Sequence, residues 1–136
     1  MNVRHALSVL LCLTGISVFL VGCNRSAARS NAHGQSVTAP SANIVIRRSG
    51  MQTFEVMVDR KDHREAVKME LTHLPAGVRA KTPSMKVETD KATFVLDAAP
   101  DAALVTNHQA KLLTTGPDGA TTTQYVSITV TESSGR

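Results

Sequence analysis

Tryptophan is absent, and the 136-residue chain carries only three Phe and one Tyr. Phe19 lies in a segment expected to be removed, which leaves Phe54, Phe94 and Tyr125. Recognition of sugars or bases by ring stacking is therefore poorly supplied. Cysteine is as scarce, with Cys12 and Cys23 alone, too few for a disulfide framework or a zinc site. No Gly-x-Ser-x-Gly elbow, phosphate-cradling glycine loop or His-Glu-x-x-His stretch occurs. The net charge of +4 is modest, and Arg47, Arg48, Arg60, Lys61 and Arg64 alternate with Asp59, Asp62 and Glu65. A nucleic-acid footprint would need a basic stripe, which this is not. The length fits one small domain and leaves no room for a two-domain enzyme.

The amino terminus is more informative. Arg4 charges the start, Ala6 to Val21 is an apolar run diluted only by Ser8, Thr14, Gly15 and Ser17, and Gly22-Cys23 follows. This is the layout of a signal peptide. A membrane-spanning helix needs about 20 predominantly apolar residues, and the run falls short before Asn24, Arg25 and Ser26 begin.

The residues Leu20-Val21-Gly22-Cys23 resemble the lipobox of bacterial lipoproteins. That resemblance implies a diacylglyceryl group on the Cys23 thiol, cleavage between Gly22 and Cys23, and acylation of the freed amine, commonly by palmitate. Leu20, Val21 and Gly22 are then the peptidase recognition residues. Each buried CH₂ contributes about 0.8 kcal/mol, so two or three acyl chains anchor where one would not. Asn24 rather than Asp follows the cysteine, which implies export to the outer membrane, facing the periplasm or cell surface. With Cys12 discarded and Cys23 in a thioether, the mature chain keeps no free thiol.

The expected organisation is a signal peptide at 1–22, a lipidated Cys and linker at 23–41, a β domain at 42–132 and a loose tail at 133–136. Asn24 to Ser41 shows no period and few large apolar residues, which predicts a tether with a reach of roughly 23 Å, about 5.5 Å times the square root of its length. Arg25 and Arg29 are read as solvated charges rather than lipid contacts. Beyond it, Phe54, Val56 and Val58 alternate with Glu55, Met57 and Asp59, and Val67, Met69 and Leu71 with Lys68, Glu70 and Thr72. Phe94 and Leu96 repeat the pattern, as do Val126, Ile128 and Val130. Period-2 alternation predicts strands with one buried face. Weaker strands are expected at 43–48, 78–81, 85–88 and 108–113, the last with His108, Ala110 and Leu112 inward. Turn residues such as Ser49-Gly50, Pro75-Ala76-Gly77 and Gly116-Pro117-Asp118-Gly119 punctuate them. Seven or eight short strands over about 100 residues predict an all-β, antiparallel, immunoglobulin-like sandwich.

The stretches Gln52 to Arg60, Val67 to Val78 and Phe94 to Ala102 also resemble bacterial extracellular immunoglobulin-like modules, with a Leu74-Pro75-Ala76-Gly77-Val78 corner and an Ala99-Pro100-containing loop. Leu104-Val105-Thr106-Asn107 departs from the Pro-Gly-Thr usual before the next strand. The resemblance fixes no ligand. The corner also has a physical reading: Leu74 and Val78 plug the core, Pro75 ends the ladder and Gly77 permits the reversal.

Chemistry-bearing residues are few. Loops with Asp62-His63, Asp90 and Asp118 are expected at one end of the sandwich, yet without the ligand density of a calcium site. His73 and His108 lack the spacing of metal ligands, and Thr122-Thr123 reads as β propensity. No catalytic residue, metal or cofactor is assigned. The expected function is a lipid-anchored, non-catalytic envelope module for protein–protein interaction or structure. The membrane is its partner through Cys23, an envelope protein is the other, and no nucleic acid is expected. The alternative is a carbohydrate-binding accessory protein, resting on Tyr125 alone.

Overall fold

The computed structural model describes residues 35–60 and 64–134, together with the backbone of Arg29–Ser30. The expected signal peptide, with Leu20, Val21, Gly22 and Cys23, lies outside the described residues, as do Asp62 and His63.

Alternation of apolar and polar side chains becomes strand wherever the sequence carries it. In β4 (Met51–Asp59) Phe54, Val56 and Val58 are buried, in β5 (Val67–Thr72) Val67, Met69 and Leu71, and in β8 (Lys91–Ala98) Ala92, Phe94, Leu96 and Ala98. In β10 (Thr121–Thr131) Val126, Ile128 and Val130 point inward. The shorter elements are β1 (Arg29–Ser30), β2 (Ser36–Thr38), β3 (Ile44–Arg47), β6 (Val78–Ala80) and β7 (Ser84–Val87), and β9 (Val105–Thr115) is long. No helix occurs among the described residues. Eight strands, β3 to β10, fall in the expected domain span.

The strands form two five-stranded sheets, one in the order β1-β2-β4-β8-β6 and the other β3-β10-β9-β5-β7. All pairs are antiparallel except β3 with β10, so the second sheet is mixed. The first strands divide between the sheets, β2 against β4 and β3 parallel to the last strand, which is the immunoglobulin-like arrangement. One crossing is distinctive: β6 pairs with β8, but β7, next in the chain, returns to β5 in the other sheet.

The core is aliphatic, as a sandwich without cysteine or tryptophan requires. Its aromatic element is a cross-strand pair, Phe54 opposite Phe94, with ring centroids 5.4 Å apart and an interplanar angle of 16°. Such a pair contributes about 0.5–1.5 kcal/mol beyond its buried area.

The domain begins earlier than 42. Gln35 is fully buried, Val37 is 3% exposed and Ala39 8%. Gln124, buried on β10, holds this segment as a neighbouring strand would: its Oε1 accepts from Ala39 N at 3.0 Å and its Nε2 donates to Val37 O at 2.5 Å. A three-residue strand is too short to show a period, its strand partner β4 lies about 20 residues on and the Gln124 side chain that fastens it 85 residues from Ala39, so the segment reads locally as linker.

The 104–107 departure is a β-bulge. The pairing Ile128↔His108 is followed by Val130↔Val105, so β9 carries one extra residue. Asn107 sits at φ 53°, a left-handed conformation that Asn tolerates better than most residues. Thr129 Oγ1 accepts from Asn107 N at 3.0 Å and secures it.

Candidate functional site

The end of the sandwich bearing the β9–β10 turn is organised by Arg60. This residue follows Val58 by two positions and so points inward, 7% exposed. Its Nε donates to Thr89 O at 3.0 Å, one terminal nitrogen donates to Glu65 O at 2.7 Å, and the other donates to Val87 O. Three carbonyls, one from the last residue of β7 and two from the segments after β4 and β7, are thereby gathered on one guanidinium. Arg suits this because its planar donors form a fixed fork and it is weakly hydrated. Asp90 Oδ1, 3.9 Å from Arg60 Nε, belongs to a side chain 81% exposed, so this ion pair compensates less of the burial than the carbonyls do. Val58, Asp59, Arg60 and Asp90 line an open cleft of about 280 Å³ here.

Expected metal-ligand candidates are spent on structure. Asp118 Oδ1 accepts from Ala120 N at 3.1 Å within the β9–β10 turn, the side-chain turn typical of Asp. His108 Nε2 lies 2.7 Å from His73 O and donates to it, while His73 Nδ1 is 3.1 Å from Thr72 Oγ1. His108 lies opposite buried Ile128 on the same face as Ala110 and Leu112, and is half-buried next to the bulge where the regular ladder ends. Among the described residues no three His, Cys, Asp or Glu side chains converge as metal ligands.

At the opposite end the Leu-Pro-Ala-Gly-Val corner behaves as its residues dictate. Val78 N donates to Pro75 O at 3.0 Å, Gly77 has φ 81°, Val78 is 5% exposed and Leu74 packs against the core. The turn is pressed onto the 99–103 loop: Ala99 N donates to Gly77 O at 2.8 Å and Ala103 N to Ala76 O at 2.9 Å. A Cβ on Gly77 would lie 2.5 Å from the Ala102 Cα. Arg48 Nε donates to Ala102 O at 2.7 Å from the other side. The two motifs that carry the resemblance are thus one contact in space. Gly77, Arg79, Asp97, Ala99 and Asp101 line a second open cleft of about 330 Å³.

The outward faces differ in chemistry. On the β9–β10 face Tyr125 is 56% exposed and lies opposite Lys111, and Ser127 lies opposite Gln109. Ser127 Oγ donates to Asn43 Oδ1 at 3.1 Å, Asn43 Nδ2 to Thr129 Oγ1 at 2.8 Å and Gln109 Nε2 to Asn107 O at 3.1 Å. Amides and hydroxyls dominate around one ring. The β4–β8 face exposes Met51 and Met57, and Lys91 Nζ pairs with Glu55 at 3.0 Å. Solvent-exposed pairs of that kind contribute at most about 1 kcal/mol.

Arg60 and Gln124 are not singled out by any local sequence motif. Each continues the parity of a buried run, Arg60 after Phe54, Val56 and Val58, and Gln124 before Val126, Ile128 and Val130. A polar residue at an inward position needs a hydrogen-bonding partner, and that is the available signal. The chain matches no protein-family model and no curated protein sequence.

Proposed function

We propose that the chain is a bacterial lipoprotein whose immunoglobulin-like sandwich is a non-catalytic module, docking an envelope protein or serving a structural role at the outer membrane. The observation that carries the reading is the order of the amino terminus: Arg4, the apolar run to Val21, then Leu20-Val21-Gly22-Cys23 ahead of a folded β domain. Acyl chains on Cys23 would supply the membrane attachment.

The early start of the fold supports a close stand-off. Arg29 and Ser30 pair with Val37 and Ser36, which leaves six peptide steps from Cys23 to Arg29. At about 3.4 Å per residue these span at most about 20 Å, so partners would be met near the headgroups. The alternative, a carbohydrate-binding accessory protein, is favoured by one feature, the exposed Tyr125 ring set among amides and hydroxyls.

Proximity labelling in intact cells, comparing the native chain with Cys23→Ala, tests the reading. A discrete set of envelope proteins labelled only by the native chain is expected. Equal labelling by both forms would overturn the anchored module. For the alternative, polysaccharide binding lost in Tyr125→Ala is the expected sign, and full retention removes its basis.

A further inference from the structure

The two outer faces of the sandwich differ in charge as well as in polar groups. On the first sheet, β2, β4, β6 and β8 carry Arg79 and Lys91 against Glu55, Asp59 and Asp97, and Lys91 is paired with Glu55 at 3.0 Å. On the second, β3, β5, β7, β9 and β10 carry Arg47, Lys68, Lys86 and Lys111 against Glu70 alone. These residues alternate with inward ones and so point outward. Among the described residues only Lys68 of these cations pairs with a carboxylate, Glu70 at 3.8 Å.

The register gives this excess an arrangement. Lys68 lies directly opposite Lys86 in the β5–β7 pair, a placing of like charges that destabilises a sheet and that a facing anion relieves. Lys111 lies directly opposite Tyr125, which is 56% exposed. Across the sheet Lys68 is level with Thr115 and Thr121, and Arg47 is level with Thr131, so the tyrosine sits between two basic ends of one face. An aromatic ring with a polar tip, set among long cationic side chains, is the composition of a surface that meets lipid headgroups.

The path of the chain brings this face to such a surface. β1 lies beside β10, and six peptide steps, about 20 Å at full extension, join Arg29 to Cys23. Acyl chains on Cys23 therefore hold the β3–β10 side of the second sheet within reach of the bilayer. We propose that the outer face of the second sheet lies against the anionic phospholipid headgroups of the membrane that anchors the chain, with Arg47, Lys68, Lys86 and Lys111 over the phosphates and Tyr125 at headgroup level. Charge spread over four strands of a sheet suits a plane of phosphates better than one bound group. The inference rests on the anchoring proposed above, and the orientation turns the β4–β8 face, with Met51 and Met57, away from the lipid.

Tyr125 is the only tyrosine and tryptophan is absent, so ultraviolet emission reports on this face directly. The full chain, extracted from membranes, is reconstituted in vesicles of phosphatidylcholine alone or mixed in equal parts with phosphatidylglycerol, each with a nitroxide on a fraction of the choline headgroups. Quenching of Tyr125 is expected to be strong with phosphatidylglycerol, weak without it, and lost in about 1 M salt, where charges are screened within about 3 Å. Each basic residue near an anionic surface raises the docked population about fivefold, so Lys68→Ala/Lys86→Ala should lower the ratio of docked to free protein about 25-fold. Arg79→Ala/Lys91→Ala on the other face should leave that ratio unchanged, and circular dichroism should show both variants folded. Equal quenching in the two lipids, or no loss in the Lys68/Lys86 variant, overturns the docking, while flotation with phosphatidylcholine vesicles leaves the anchor standing. A chain that does not float with phosphatidylcholine vesicles overturns the anchor, and the docking with it. Emission that ignores phosphatidylglycerol but shifts with added alginate assigns the face to a soluble polyanion and likewise overturns the docking.

Discussion

At the end that carries the β9–β10 turn, Arg60 gathers the carbonyls of Glu65, Val87 and Thr89 on one buried guanidinium, whereas at the other end Gly77 lies against Ala102 with no room for a side chain. The first closure is polar and is fixed by one residue's donors. The second depends on shape, through a left-handed turn and an alanine. A short sandwich without a disulfide must seal both ends of an aliphatic core, and this chain does so by unlike means whose failures differ in kind.

Removing Arg60 should have the largest effect. Arg60→Ala strands the buried Val87 carbonyl, gives up the part-buried bonds to Glu65 and Thr89 and removes the packing of the buried side chain, at a cost of about 4 kcal/mol in total. With roughly 4–8 °C of melting temperature per kcal/mol in a domain of this size, thermal unfolding followed by circular dichroism should show a fall above about 16 °C, and Arg60→Lys should recover only part of it. A loss under about 1 kcal/mol would mean that the guanidinium is dispensable and the comparison fails. Gly77→Ala comes next, at about 3 kcal/mol, from left-handed strain plus the overlap with Ala102. Gly119→Ala separates those two causes. Gly119 shares the φ of 81° but nothing lies within 4 Å of its added Cβ, so about 1 kcal/mol of strain alone is expected in the same melts.

Gln124→Leu should cost about 2 kcal/mol by leaving Ala39 N and Val37 O unpaired. Hydrogen exchange should localise the loss to residues 35–39, ahead of global unfolding. Asp90→Asn is the smallest change, within about 0.5 kcal/mol in urea titration, because its carboxylate is exposed and 3.9 Å from Arg60. A larger loss would transfer the weight of that closure from the carbonyls to the ion pair.

The two closures also differ in how far the sequence reveals them. The corner is legible because its causes are local: proline ends a ladder, glycine takes positive φ, and flanking Leu74 and Val78 are apolar. The four strong strands are legible for the same reason, since alternation is a property of adjacent residues. Arg60 looks like one more member of an alternating charge run, because its partners lie up to 29 residues away. Residues 35–40 look like linker because the side chain that docks them belongs to the last strand. The bulge at Asn107 is visible only as a departure from a pattern. Of the candidate ligands, Asp118 and the two histidines prove to be turn and loop fasteners.

The proposed anchoring rests on Cys23, and intact-mass spectrometry of the protein extracted from membranes addresses it most directly. A mature chain that begins at Cys23 and carries the mass of a diacylglyceryl group with an N-linked acyl chain is the predicted result. A chain that begins elsewhere, or carries an unmodified Cys23, would contradict the lipid-anchored module.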